Sequence, residues 1–343
     1  NLMILSQIQL IIATQGFVSG DKVAVVIPEL DINQTARIND RGDARLRIPA
    51  QPQLWQPGAP KLYRVELTAG DDQISDDIGF RTIETSGTTI MLNGEPIKFK
   101  GISTHEEPIG RDGVAYSEAD MRVLFNEAKE LGVNFVRAAH YPYSRHAARV
   151  ADELGILLWE EVPIYWNIAW DNAETLAIAR DQLARLIERD WNRASVVIWS
   201  VANETPYSES RMKFLRRLID DVRELDDSRL VSAALLGDTR RELKHVAAHL
   251  AAYGQESDIA SDQEKAVFSR VVAAAGDAAP KPGAGFTLVI DDPLGELVDI
   301  VSYNEYFGWY YARALAPQMG VTEKTIRKLM LQFIPQVTMS TAF

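Results

Sequence analysis

At 343 residues the chain can hold two ordinary domains, or one barrel-sized domain with a smaller neighbour. Hydrophobic residues make up 46% and charged residues 24%, a globular balance that excludes wholesale disorder. Lys plus Arg number 36 against 48 Asp plus Glu, and a net charge of −12 repels phosphate backbones, which argues against a nucleic-acid partner. With no cysteine there is no disulfide, thiolate metal site or cysteine nucleophile.

No segment reaches the roughly 18 uninterrupted apolar residues that span a bilayer, so no membrane association is expected. The apolar start, Leu2-Met3-Ile4-Leu5, meets Ser6 and Gln7 and lacks a basic flank and a cleavage site. It reads as strand rather than signal peptide, which favours the cytoplasm over secretion. The missing initiator Met points to a processed or partial chain.

Residues 1–88 read as an immunoglobulin-like β-sandwich. The runs 22–27 and 62–67 are strand-like, and turn-rich stretches at 39–43 and 56–60 divide them. From about Ile90 short apolar strands alternate with amphipathic helices, the pattern of parallel βα units. Strands are expected at 97–103, 133–138, 156–160, 195–201, 230–234, 300–303 and 336–340. Helices are expected at 118–131, 145–154, 174–190 and 208–225. No Gly-x-Gly-x-x-Gly follows the first strand, which weakens a dinucleotide-binding sheet. His105, His140, Glu160, Glu204 and Asn304 all fall at strand C-terminal ends, which a barrel brings to one face. The expected fold is therefore α/β, with residues 89–343 as a (β/α)8 TIM barrel, incomplete at the C-terminus. Residues 237–293 read as an insertion on the loop face.

The run from Val196 to Glu204 is the most informative: a continuous apolar strand stops at Asn203-Glu204. A carboxyl at a barrel mouth, desolvated by Trp199 and other aromatics, is suited to act as a general acid. The competing reading is that Asn203-Glu204 caps the next helix.

Trp199-Ser200-Val201-Ala202-Asn203-Glu204 resembles the acid/base motif of glycoside hydrolase family 2, which includes β-galactosidases, β-glucuronidases and β-mannosidases. Leu54-Trp55-Gln56-Pro57 and Gly79-Phe80-Arg81-Thr82 resemble the family's sandwich domain. Asn93-Gly94-Glu95-Pro96, Thr104-His105-Glu106 and His140-Tyr141-Pro142-Tyr143 resemble its barrel, in the family's order. The resemblance implies a retaining mechanism with two carboxyls about 5–5.5 Å apart. It gives Glu204 the acid/base role and Asn203 a hydrogen bond to the sugar 2-hydroxyl.

The resemblance also places the nucleophile after the last strand, in a motif like Thr-Glu-Phe-Gly. The chain ends Ser340-Thr341-Ala342-Phe343, which puts Ala342 where glutamate belongs. A methyl group cannot attack carbon, so the chain as written should not form a glycosyl-enzyme. A deliberate Glu→Ala change, a natural pseudoenzyme and a shifted alignment are the explanations. His105 and His140 match positions lining the sugar pocket. Glu106 and Glu107 contact sugar hydroxyls or a cation, or face solvent; no spacing is diagnostic of a metal, and neither metal nor cofactor is expected. Tyr303-Asn304-Glu305-Tyr306-Phe307-Gly308-Trp309-Tyr310 resembles the β-glucuronidase version of the family, making Asn304, Tyr306 and Tyr310 substrate-binding candidates. Trp159-Glu160-Glu161 and Tyr165-Trp166 line the opposite wall. The expected partner is a β-glycoside, β-glucuronide ahead of β-galactoside, with a carbohydrate-binding pseudoenzyme or a structural scaffold as alternatives. A homo-oligomer is left open.

Overall fold

The structure is a computed structural model that describes residues 7–236, 239–276, 279–280, 285–306, 310–334 and 337–341. It divides into two compact units. The first comprises Asn1–Ile164, Ala169–Val201 and Phe214–Ser232; the second comprises Tyr165–Ile168, Ala202–Lys213 and Ala233–Phe343.

The first unit begins with six strands: β1 (Gln7–Ala13), β2 (Lys22–Ile27), β3 (Ile32–Arg37), β4 (Asp43–Pro49), β5 (Tyr63–Ala69) and β6 (Asp72–Ile78). β1 pairs antiparallel with β4, and the others form a sheet in the order β3-β2-β5-β6. Alternation decides the buried face. In β2, Val23, Val25 and Ile27 are buried while Lys22 stays wet. They join Ile8, Ile12 and Ile48 from the other sheet, and Tyr63 and Val65, in a single apolar cluster. The sandwich is thus a core shared by two sheets. The 39–43 turn forms as expected, with Asn39 Oδ1 accepting from the backbone of Arg41 and Asp43.

A three-stranded ribbon follows, β7 (Ile83–Ser86), β8 (Thr89–Leu92) and β9 (Glu95–Pro96). Asn93 and Gly94 close its second hairpin with φ of 55° and 79°, the positive pair that an Asn-Gly turn supplies. The Trp55 and Arg81 motifs join sandwich to barrel strands within this unit. Trp55 is fully buried and donates to Asp152 O (2.8 Å). Arg81 donates to the carbonyls of Ala194, Val196 and Ser228. Gly155, at φ 70°, ends a helix where a Cβ would stand 2.5 Å from Pro57 O.

Parallel βα units continue the first unit: β10 (Gly101–Thr104), α1 (Glu118–Glu130), β11 (Phe135–Ala138), α2 (His146–Leu154), β12 (Leu157–Glu161), α3 (Ala173–Asp190), β13 (Val196–Asn203), α4 (Glu209–Leu225) and β14 (Leu230–Leu235). β10, β11, β12 and β13 pair in parallel in chain order, with β14 next. Every residue of β12, β13 and β14 is buried, which explains their largely apolar composition, with Glu160, Glu161, Ser200, Asn203 and Ser232 as the polar exceptions. Ser117 and Asp120 form a reciprocal capping box at the start of α1. The strand expected at 97–103 is shorter. Asn134 accepts from Lys100 N and donates to Lys98 O, so a side chain replaces ladder partners there.

The second unit holds the C-terminal ends of β13 and β14, then α5 (Thr239–Glu256), α6 (Asp262–Ala275), β15 (Phe286–Ile290), β16 (Ile300–Tyr303), α7 (Ala312–Met319), α8 (Glu323–Phe333) and β17 (Val337–Thr341). The described residues of the stretch 237–293 include the helices α5 and α6 and the strand β15. β17 pairs in parallel with β15, Phe286 opposite Val337, a partnership the sequence pattern did not indicate. Val246, Leu250, Phe268, Phe286, Leu315, Leu329 and Phe333 share one core. Among the described residues no helix is long and apolar enough to cross a membrane.

Candidate active site

In the second unit, Glu204 stands directly beyond β13, with φ of 51°. That left-handed backbone is uncommon for a non-glycine residue and turns the side chain out of the strand's alternation. Its amide donates to Ala234 O (2.8 Å), which holds the residue against the end of β14. Each carboxylate oxygen receives one N–H. Asn304 Nδ2 donates to Oε1 at 2.8 Å, and Trp166 Nε1 donates to Oε2 at 3.2 Å.

These donors are themselves held. Asn304 sits at the end of β16, its amide bonded to Leu235 O (2.9 Å), and its Nδ2 also reaches Asn203 Oδ1 (3.0 Å). Trp166, at φ 57°, donates its own amide to Asn203 O (3.1 Å). Asn203 is buried, so its side chain is a fixed part of the wall.

The capping alternative fails. α4 begins at Glu209, and Ser208 Oγ accepts from Arg211 N (3.1 Å), so Ser208 serves that helix end. Trp199, expected to desolvate Glu204, is fully buried and donates to Asp226 Oδ2 (2.7 Å); the indole at the carboxylate is that of Trp166.

Sequence reasoning missed Arg211. It is fully buried and doubly bonded to Asp292 (2.8 Å each), and its Nε donates to Thr205 Oγ1 (2.9 Å). This clamp fixes the residue that follows Glu204. An arginine on the first turn of α4 reads from sequence as a solvent-facing charge. Tyr306 and Tyr310 meet edge to face with ring centres 5.0 Å apart, and Tyr310 is exposed. Ala342 lies outside the described residues, as do Phe307, Gly308 and Trp309.

The first unit carries a second polar group. Glu161 is buried and accepts from Arg137 (3.1 Å), Trp159 Nε1 (2.9 Å) and His140 Nδ1 (2.7 Å). Arg137 also lies over the Trp159 ring, 5.0 Å from its centre. With its oxygens engaged inside the protein, Glu161 orients His140. His105 donates through Nδ1 to Ala139 O (2.9 Å), the assignment in which the carbonyl accepts, and its ring lies 5.7 Å from that of His140.

The acidic neighbours differ. Glu107 is exposed, whereas Glu106 is buried and accepts from Ser144 N. Burial raises the Glu106 carboxyl above its ordinary range. Glu160 is fully buried; burial first and the adjoining Asp190 second push its carboxyl well above that range. It is a buried core group, 1% exposed, rather than a wall of the sugar pocket. Among the described residues no cluster of three or more His, Asp or Glu could hold a metal ion.

Two family profiles cover most of the chain. The one described as "Glycosyl hydrolases family 2, TIM barrel domain" matches residues 83–267, and "Glycosyl hydrolases family 2" matches residues 17–81. The chain belongs to glycosyl hydrolase family 2. The chain is similar to a beta-glucuronidase of Paenibacillus borealis, 35% identical over 197 residues, covering 52% of this chain and 33% of that protein. It is also similar to a beta-galactosidase of Aeromonas hydrophila, 29% identical over 211 residues, covering 55% of this chain and 20% of that protein. Among solved structures, the beta-glucuronidase of Parabacteroides merdae aligns with a TM-score of 0.55 and 30% identity, over 64% of this chain and 29% of that one. The chain thus spans about a third or less of the length of such curated relatives. This membership accounts for the TIM-barrel sheet and the sandwich before it.

Proposed function

We propose that this family 2 chain carries the acid/base half of a retaining exo-β-glycosidase site, with β-glucuronides as substrate. The observation that carries the reading is the Glu204 carboxylate, fixed at a strand end between two N–H donors. Protonated Glu204 gives its proton to the glycosidic oxygen as the C1–O bond breaks. A carboxylate at position 342 would attack C1 from the other face; water then releases the sugar, giving its proton back to Glu204. Asn203 takes the sugar 2-hydroxyl, and Asn304, Tyr306 and Tyr310 bind the remaining sugar edges. With Ala at 342 the first covalent step has no nucleophile, so the chain as written binds and does not turn over. The division at residue 88/89 belongs to the same reading, with the sandwich as support and the barrel as the catalytic part.

Two observations favour other readings. Similarity to beta-galactosidases supports a neutral glycone, and Ala342 supports a carbohydrate-binding protein without activity. The Ala342→Glu chain, assayed on 4-nitrophenyl β-glucuronide and β-galactoside, separates them. We expect hydrolysis of both to appear, with kcat/KM on the glucuronide higher by about tenfold or more, the advantage of one charge-assisted contact to the uronate. A galactoside preference supports the neutral glycone. No turnover of either sugar supports the binding protein.

A further inference from the structure

We propose that Trp166 forms the platform for the leaving group, so that the site selects aglycones that present a flat ring face; this rests on the acid/base reading of Glu204. The two oxygens of that carboxylate are divided between two environments. Oε1 lies toward Asn304, which also holds Asn203, and those amides belong to the sugar ring that is being cleaved. Oε2 lies toward the Trp166 indole. The proton must reach an oxygen that joins sugar to leaving group, so the two partners of that bond flank the carboxyl on opposite sides. With the amides on the glycone side, the indole is on the aglycone side.

Trp166 has the features of a docking surface. It is 63% exposed although a large aromatic side chain, so it does not serve the core. It is nonetheless held, by its indole N–H on Glu204, by its amide on Asn203 O, and by Tyr165, whose ring meets it edge-on at 5.5 Å and 87°. Its backbone sits at φ 57°, a conformation that persists only where surroundings fix it. A rigid, exposed indole with one edge bound to the acid leaves its face to a ligand. Aryl groups and the apolar face of a second sugar share the chemistry that stacks there.

Calorimetric titration of the chain as it exists tests this, because Ala342 lets intact glycosides bind without cleavage. The probes are methyl β-glucuronide, phenyl β-glucuronide, a glucuronic acid–glucose β-disaccharide, and the methyl and phenyl β-galactosides. We expect the phenyl glycoside to bind about tenfold more tightly than its methyl counterpart. Trp166→Ala should bring the two within about twofold, and Trp166→Phe, which keeps a ring and loses the N–H, should preserve the preference. Since Trp166 is exposed, its truncation leaves no core cavity, and an unchanged melting temperature checks that. Disaccharide affinity that follows phenyl assigns the platform to any ring face; affinity that follows methyl assigns it to aryl groups. Equal binding of phenyl and methyl glycosides, or a preference that survives Trp166→Ala, overturns the platform while leaving the glycosidase reading standing. Failure of every glycoside to bind overturns both.

Discussion

Glu204→Gln, introduced together with Ala342→Glu, should lower kcat/KM on methyl β-glucuronide by about 10²- to 10⁴-fold, the span that general-acid catalysis supplies. The loss should be far smaller on 4-nitrophenyl β-glucuronide in the first chemical step, since nitrophenolate leaves without a proton. Gln is close in size to Glu, so the pocket shape is kept. Its amide oxygen can accept from Asn304 Nδ2 as Oε1 does now. Its NH2 then faces the Trp166 indole N–H, where Oε2 accepts in the parent. Two donors meeting there loosen the indole by one hydrogen bond, about 1 kcal/mol. Steady-state kinetics on the two glycosides measure the split. Equal losses on both would assign Glu204 to binding, and no loss would remove it from the chemistry.

Arg229→Met should cost about 3–5 kcal/mol of stability, the range for removing one partner of a buried ion pair. Arg229 bonds Asp226 Oδ2 (2.8 Å) and the carbonyls of Trp191, Arg193 and Val196, so it ties the α3–β13 connection to the start of β14. Met replaces the length but none of the donors, and four acceptors each lose one donor, although Val196 O keeps Arg81 and Asp226 keeps the Trp199 indole. Asp226 also shows the sign of the pH dependence. Burial acts to raise its carboxyl, but Arg229, Ser228 and the Trp199 indole together outweigh burial and hold it at about 2. An unfolded Asp titrates near ~3.9. The depressed folded value therefore contributes about 2–3 kcal/mol that is fully present above pH ~4 and is lost as pH falls toward about 2. Urea titrations at pH 7 and pH 3 measure both effects. The parent should lose stability between them, and Arg229→Met should start lower and lose less over that interval. A variant as stable as the parent at pH 7 would show that the arginine adds nothing net.

The barrel strands were legible because burial on both faces favours apolar runs, and β13 and β14 keep to that preference except at Ser200, Asn203 and Ser232. The end of β13 was legible for the same reason: Asn203-Glu204 breaks such a run where a core strand cannot tolerate it. β15 was not, because its five residues alternate between buried and exposed and follow a Pro-Gly-rich stretch that reads as loop. The partners of the carboxylates were also hidden. Nothing in Tyr165-Trp166 announces a backbone at φ 57°, and no spacing rule links residue 166 to 204 or 304. Glu160 and Glu161 are adjacent and chemically alike, yet strand alternation sends one beside Asp190 and the other onto Arg137, Trp159 and His140. Composition cannot separate them; only the fold does.

The proposed proton donor Glu204, acting with a nucleophile position emptied at residue 342, is tested most directly by adding azide to the chain as written. With Ala342 in place, azide enters on the side where the nucleophile would have stood and attacks C1 while Glu204 protonates the departing oxygen. Proton NMR of the product from phenyl β-glucuronide, whose poorer leaving group needs that proton, should show the α-glycosyl azide, formed at a rate that rises with azide concentration. A β-glycosyl azide would mean that a working nucleophile lies elsewhere in the chain, and the assignment of residue 342 would be wrong.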